Sequence, residues 1–413
     1  MDSLKKENHM KILEATYRIV TPMFIGDASQ KATDLRPPSI KGALRFWWRA
    51  LNWGKYLKLA QGNVAKALQS LHTQEGQLFG MATQENFGGQ GQFILQVSPT
   101  QIKVCNPPPQ ATGGIPYLLG QGVYHFKNGY LRNALKAGQD FKISICFRPR
   151  VKAEEIDSVA EALRLFGLLG GLGSRARKGL GAVAIHQLRG TEQCQIPKNI
   201  IEYNELIAEI GQSMSADLPP FTAFSQKSRV DISLKGRNAW DLLEEVGREM
   251  LLYRSYGRLN PRSGQHEQLH QNAEQNFVPD HDLAYAVATG NSVTTHPDRA
   301  VFGLPHNYFF TSIKPAKDAQ VDVNPIRQEG HRWTSAGRGR RASPLFIHLH
   351  EFPDGECAAI QALLPATFLP PSDRIELKAK ARHATSCRVL PDIDWDVIHQ
   401  FLDRFNNRER IYP

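Results

Sequence analysis

Two short stretches of this chain combine residue types that could do chemistry. The first, GLGSRARKGLG (171–181), sets Arg175, Arg177 and Lys178 between the glycine pairs Gly171/Gly173 and Gly179/Gly181. Glycines let a backbone run close to something bulky with its N–H groups exposed, and cations between them neutralise phosphates. Neither the nucleotide fingerprint G-x-G-x-x-G nor a Walker spacing is present, and the connector runs from helix to strand, so a mononucleotide cradle is not expected. The second stretch, HEQLH (266–270), matches HExxH: on a helix His266 and His270 would bind zinc, with Glu267 as base and His281 as a possible third ligand. Its surroundings, NPRSGQHEQLHQNAEQN, hold one leucine in seventeen residues. An amphipathic zincin helix needs an apolar face, so this segment reads as a polar surface loop.

Other constellations are weaker. His125 and His186 lie in the half that carries the glycine connector and could serve as general acid or base in metal-independent RNA cleavage, although no partner acid is identifiable by spacing. Asp280 with Asp282, and Asp392 with Asp394 and Asp396, could suggest a metal. Their helix-flanking settings suit capping better. No cofactor and no metal are expected. The five cysteines (Cys105, Cys146, Cys194, Cys357, Cys387) show no CxxC spacing and read as reduced thiols.

The charge favours a polyanionic partner. Fifty Lys and Arg against 40 Asp and Glu leave a formal net charge of +10. The excess is concentrated at residues 31–60, in the connector, and in GRGRRASP (337–344), which carries Arg338, Arg340 and Arg341. The stretch RPPSIKGALRFWWRALNW (36–53) sets three tryptophans among arginines and a lysine. With Ser39 as N-cap, a helical wheel puts Ala43, Phe46, Trp47, Ala50, Trp53, Gly54 and Leu57 on a core face. Lys41, Arg45, Arg49, Asn52 and Lys55 fall opposite, just inside Arg36. Trp48 stands among the cations, where a base or another subunit could pack.

These residues need a scaffold, and periodicity supplies one. At 413 residues the chain is expected to form two domains. No run of about 20 apolar residues and no secretory signal appear, so a cytoplasmic protein without membrane contact is expected. Strands are expected at 10–20, 91–99, 140–150 and 181–189, with helices after the double proline and at 152–170. That order is βαββαβ, an α+β ferredoxin-like arrangement. It recurs less completely beyond 220 as a strand, a helix, a paired hairpin and a helix, without an obvious last strand. The expected domains are 1–195 and 196–413, joined through a helix near 201–220, with a polar insertion at about 257–342.

G-h-G-x5-G-h-G behind such a helix resembles the signature of the RAMP proteins, RNA-binding subunits of CRISPR effector complexes. TPMFIGDA, LRPPSIKGALRFWWRAL, LFGLLGGLGSRARKGLGAV and RRASPLFIHLH together resemble the type III-B branch that caps the 3′ end of the guide. The resemblance implies tandem ferredoxin-like (RRM-like) domains and a non-catalytic subunit of an antiviral ribonucleoprotein. Such a subunit contacts crRNA, target RNA and a backbone-type RAMP neighbour, with slicing left to another subunit. Arg36, Lys41, Arg45, Trp48, Arg49, the connector residues and Arg338, Arg340 and Arg341 are the expected RNA contacts. A RAMP-type endoribonuclease and an HExxH peptidase are the alternatives.

Overall fold

The computed structural model describes residues 10–27, 29, 31–32, 34–84, 87–99, 102–106, 113–120, 122–192, 195–210, 214–310, 312–313, 320–380 and 386–412. Strand β1 (Ile12–Ile19) alternates buried and open positions, as a strand with one covered face must. Helix α1 (Pro37–Leu59) follows and starts earlier than expected, with Arg36 as N-cap and both prolines in the first turn. Proline suits that place because its missing N–H would have had no partner there and its φ is already helical. Ser39 is therefore inside the helix. Helix α2 (Val64–Phe79), capped by the Asn63 side chain on Lys66 N, is an element that the expected order lacked.

Strands β2 (Phe93–Ser98) and β3 (Asp140–Phe147) enclose an excursion in which helix α3 (Gly114–Leu119) forms. Helix α4 (Ala153–Leu169) and strand β4 (Val183–Arg189) complete the half. Helix α5 (Ile200–Ile210) leads onward, and its Tyr203 hydroxyl donates to Leu168 O at 2.6 Å. The sheet order is β4-β1-β3-β2, antiparallel throughout, so the first strand sits in the middle. Leu13, Ala15, Tyr17 and Ile19 turn toward α1 and α4, while Ile12, Glu14, Thr16 and Arg18 fall on the opposite face.

The second half repeats this order. Strand β5 (Arg229–Gly236) and helix α6 (Ala239–Arg254) come first. Helix α7 (Val278–Ala288) and strands β6 (His306–Phe309) and β7 (Gln320–Glu329) intervene. The hairpin of β8 (Leu345–Glu351) and β9 (Cys357–Leu363) is followed by β10 (Asp373–Ala379) and β11 (Ser386–Val389). Helix α8 (Asp396–Leu402) and strand β12 (Glu409–Tyr412) close the chain. The sheet β8-β9-β5-β12 again has its first strand inside, and β12 is the closing strand that the sequence left unassigned. The described part of the stretch expected as a polar insertion contributes α7, β6 and β7, and β6 and β7 join β10 and β11 from beyond it in a sheet with its own core beside α7, including Val321, Val323, Ile375 and Leu377.

The two sheets differ in what covers them. One face of the second sheet packs on α6, through Ile347, Leu349, Ala359 and Leu363. Its other face packs on the helices of the first half: Phe346 lies 5.4 Å from the Trp47 ring and 5.7 Å from Phe46, and His348 Nδ1 is 3.0 Å from Gly170 O. One apolar core therefore runs from β1 through α1 and α4 into β5, β8 and β9. The excursion reinforces the union, because the Glu244 carboxylate of α6 accepts the N–H groups of Gly114 and Ile115 at the start of α3. A Cβ at Gly114 would fall 2.2 Å from Glu244 O, so this crossing requires glycine.

Candidate nucleic-acid interface

The glycine connector lies on the seam between the halves. Gly173, Gly179 and Gly181 all have positive φ, and a Cβ at Gly181 would sit 2.2 Å from Leu172 O. At Gly179 a Cβ would meet Leu243 of α6 at 2.5 Å; Gly171 faces Gly181 O at 2.8 Å in the same construction. The connector's amides are used internally: Gly181 N donates to Pro22 O, Ser174 N to Phe24 O, and Leu172 N to Gly181 O. Ile347 N in turn donates to Arg177 O, stitching the connector to β8. These glycines permit close packing of backbone on backbone, and the N–H of Gly181 is taken up inside the fold by Pro22 O.

The three connector cations take different directions. Arg175 is exposed, with Nε donating to Leu119 O at 2.6 Å. Its pKa is lowered by desolvation and then by the like charges of Arg340 and Arg132. Arg177 is enclosed: it lies 4.4 Å over the Phe346 ring and 5.2 Å from Phe46, and it donates to Ser343 O. Burial, with Arg341 nearby, pulls its pKa down to about 10. Lys178 points inward, Nζ 3.6 Å from Met250 Sδ, and although part of the side chain meets solvent, desolvation and then Arg254 and Arg175 push its pKa down to about 7. An ammonium held that way is a poor phosphate contact, which corrects the role expected of Lys178.

Helix α1 is corrected in a similar way. Trp48 is 1% exposed, its Nε1 donates to Ser158 Oγ at 3.1 Å, and its ring packs near Phe79 of α2. Helices α2 and α4 cover the side that the wheel left to solvent, so Trp48 offers no ring to a base. Arg45 and Arg49 both bond Glu75 Oε1, at 2.5 and 2.6 Å, and Glu75 is 2% exposed. One carboxylate thus offsets part of the cationic face. Lys41 lies 5.4 Å over Phe93 with its pKa lowered by desolvation and by Arg45. Arg36 is exposed and donates to Gly26 O. Arg340 is exposed, and Arg341 pairs its backbone with Leu304 while its guanidinium lies 5.4 Å from the Phe368 ring. The side chain of Arg338 lies outside the described residues, as does Cys194. Cys105, Cys146, Cys357 and Cys387 are free thiols.

The HExxH alternative loses its geometry. His266 is on a short strand (His266–Gln268), whereas Leu269 and His270 adopt positive φ in the turn after it, so the two histidines do not share a helix face. Glu267 Oε1 is engaged by Asn260 and Ser263. Asp280 accepts from Asp298 N and Arg299 N, forms an ion pair with Arg299, and is buried; Asp394 accepts from Asp396 N. Among the described residues no group of three or more His, Cys, Asp or Glu is placed to hold a metal ion. His186 Nε2 lies 3.2 Å from Glu351 O, and His125 Nδ1 is 3.3 Å from Lys127 N. Among the described residues, no helix is long and apolar enough to cross a membrane.

Sequence reasoning missed Arg132, a lone arginine in the excursion, and the buried His348 and His350. Only their positions in space connect them to the seam.

An antiparallel sheet with its first strand central, closed by a glycine-rich, arginine-bearing connector, defines the class. Residues 16–184 match the model of the RAMP superfamily. Along its length the chain is similar to the CRISPR system Cmr subunit Cmr1-1 of Pyrococcus furiosus, 26% identical over 382 residues that cover 88% of each chain. Its fold is that of the crystal structure of Cmr1 from Pyrococcus furiosus in apo form: the TM-score is 0.54 at 18% identity, covering 98% of this chain and 99% of that one. A chain from the type III-B Cmr-beta complex bound to cognate target RNA superposes with a TM-score of 0.45 at 11% identity, over 96% of this chain and 99% of that one.

Proposed function

We propose that this chain is a non-catalytic, RNA-holding subunit of a type III-B CRISPR effector, built from tandem ferredoxin-like repeats at 1–195 and 196–413. In this reading it lies at the 3′ end of the crRNA, touches target RNA where guide and target pair, and adjoins a backbone-type RAMP subunit in cytoplasmic antiviral defence. Guide–target pairing reads sequence, and the protein holds backbone and shape. The similarity to a Cmr subunit supports the assembly. The observation that carries RNA binding is the cationic surface beside the connector, where the Arg175 and Arg340 side chains are both exposed and Arg340 and Arg132 help to lower the pKa of Arg175. Three like charges from distant parts of the chain cost folding energy, and a phosphate strand relieves that cost.

The test is fluorescence anisotropy of a labelled single-stranded RNA across a salt series, comparing the wild-type chain with Arg175→Glu/Arg340→Glu. Each phosphate contact on a single strand contributes about 0.7 to the slope of log K against log salt, so the double variant should flatten it by roughly 1.4. An unchanged slope removes this cluster from the RNA footprint. Metal-independent RNA products that disappear with His125→Ala or His186→Ala would overturn the non-catalytic part of the reading.

A further inference from the structure

The RRM-like use of a sheet as a stacking platform is closed to this molecule. The open face of the first sheet carries Ile12, Glu14, Thr16, Arg18, Ile94, Gln96, Lys142 and Ser144 on its strands β1, β2 and β3, and none of these is aromatic. The corresponding face of the second sheet is buried against α1 and α4. A strand held by its phosphates must place its unpaired bases elsewhere, and such bases favour aromatic or apolar walls beside cations.

A groove between α1, α2 and the segment entering β5 has those walls. Its volume is about 310 Å³, near the lower end of the roughly 300–1,000 Å³ of small-ligand sites. Phe46, Leu71 and Phe221 line it, and Leu68, which is 37% exposed, stands in the lining from α2. Its polar lining holds the guanidinium groups of Arg49 and Arg341, the His72 ring and Thr222 beside the single carboxylate of Glu75. Glu75 is already shared by Arg45 and Arg49. The guanidinium of Arg341 has a long 3.4 Å bond to Thr367 O, and its enclosed Nε has no partner. Arg177 lies beside Phe46 at 5.2 Å. Flat apolar walls under an underused guanidinium suit a nucleobase whose phosphate stays on the rim.

We infer that this groove takes one unpaired nucleotide of the bound RNA, its base between Phe46, Leu71 and Phe221 and its phosphate on Arg341. The inference rests on the RNA-holding reading above and adds a base-specific contact to it. The experiment uses the full chain and two labelled single strands of equal length, an oligouridylate containing 4-thiouridine and an abasic ribose-phosphate oligomer. Wild type should bind the base-bearing strand about tenfold more tightly, in line with roughly 1–3 kcal/mol per stacked base. Leu68→Trp, which fills the groove from an exposed helix position, should remove that preference and leave affinity for the abasic strand unchanged. Ultraviolet crosslinks should map to peptides containing Phe46, Leu71 or Phe221 in wild type only. If wild type binds both strands equally, or if the preference survives Leu68→Trp, the groove does not hold a base and another occupant, such as a neighbouring subunit's side chain, fills it. If wild type binds neither strand, the RNA-holding reading itself falls.

Discussion

The two four-stranded sheets share one strand order and meet opposite surroundings. In the first, β1 and β3 alternate, with every second residue buried under α1 and α4. In the second, β8 is buried at all but its last residue and β9 is buried throughout, because helices lie on both faces. Topology alone therefore does not say which face of a sheet is free to meet a partner. The first half presents an open polar face, and the second spends its equivalent face on holding the halves together.

That contrast can be broken most directly at Phe346. Phe346→Ala should cost about 3–5 kcal/mol through the cavity it leaves among Phe46, Trp47 and the seam, whereas Ile94→Ala on the open face of the first sheet should stay within about 0.5 kcal/mol. Urea unfolding followed by fluorescence checks both; similar losses at the two positions would mean that the second sheet does not depend on this contact. Glu75→Gln comes next. It leaves two guanidinium groups beside an amide, and since both arginines are about one-third exposed the expected loss is moderated to about 2 kcal/mol. RNA affinity should not fall, because the change removes an acid from the cationic side.

The buried face of the second sheet also carries His348 and His350, neither of which the first sheet matches. Burial pushes the pKa of His348 down to about 3 and that of His350 well below its ordinary value, His350 being further repelled by His348 and His186. The unfolded chain therefore binds more protons than the folded one below about pH 6.5. The stability that the neutral His348 ring contributes is fully present above that pH and is lost as pH falls toward 3, at about 1.4 kcal/mol per pH unit, and His350 acts in the same direction. His348→Gln should reduce the slope of unfolding free energy between pH 6 and 5 by about 1 kcal/mol per unit, as urea titrations at several pH values would show. The smallest effect concerns the helix that joins the two sheets: Trp48→Phe should cost about 1 kcal/mol for the lost bond to Ser158 and leave RNA binding unchanged. Weaker RNA binding at full stability would put the Trp48 ring back at the interface.

Much of this fold was legible in local pattern. The alternation in β1 and β3, the apolar stripe of α4 and the glycine spacing of the connector are short-range signals, set by strand pleat, helix pitch and the φ values only glycine adopts easily. Helix α2 is written there too, in Asn63 followed by Ala67, Leu71, Leu78 and Phe79 at helical spacing, a weaker signal than the aromatic stripe of α1. Strand β12 is four residues long and gains its identity from pairing with β5, nearly two hundred positions earlier, which no local window contains.

The candidate interface was legible as an inventory of cations and glycines and not as a surface. Sequence by itself determined the four-strand, two-helix frame of the first half, the excess of positive charge near α1 and the connector, and the need for glycine where backbones cross. Only the tertiary structure decided how each charge is partnered, because that depends on neighbours in space: Glu75 of α2 pairs with Arg45 and Arg49, Lys178 Nζ lies against Met250 Sδ, and Arg340 and Arg132 add to the burial that lowers the pKa of Arg175. Electrostatic energy depends on separation and local dielectric, and neither quantity is written in the order of residues along the chain.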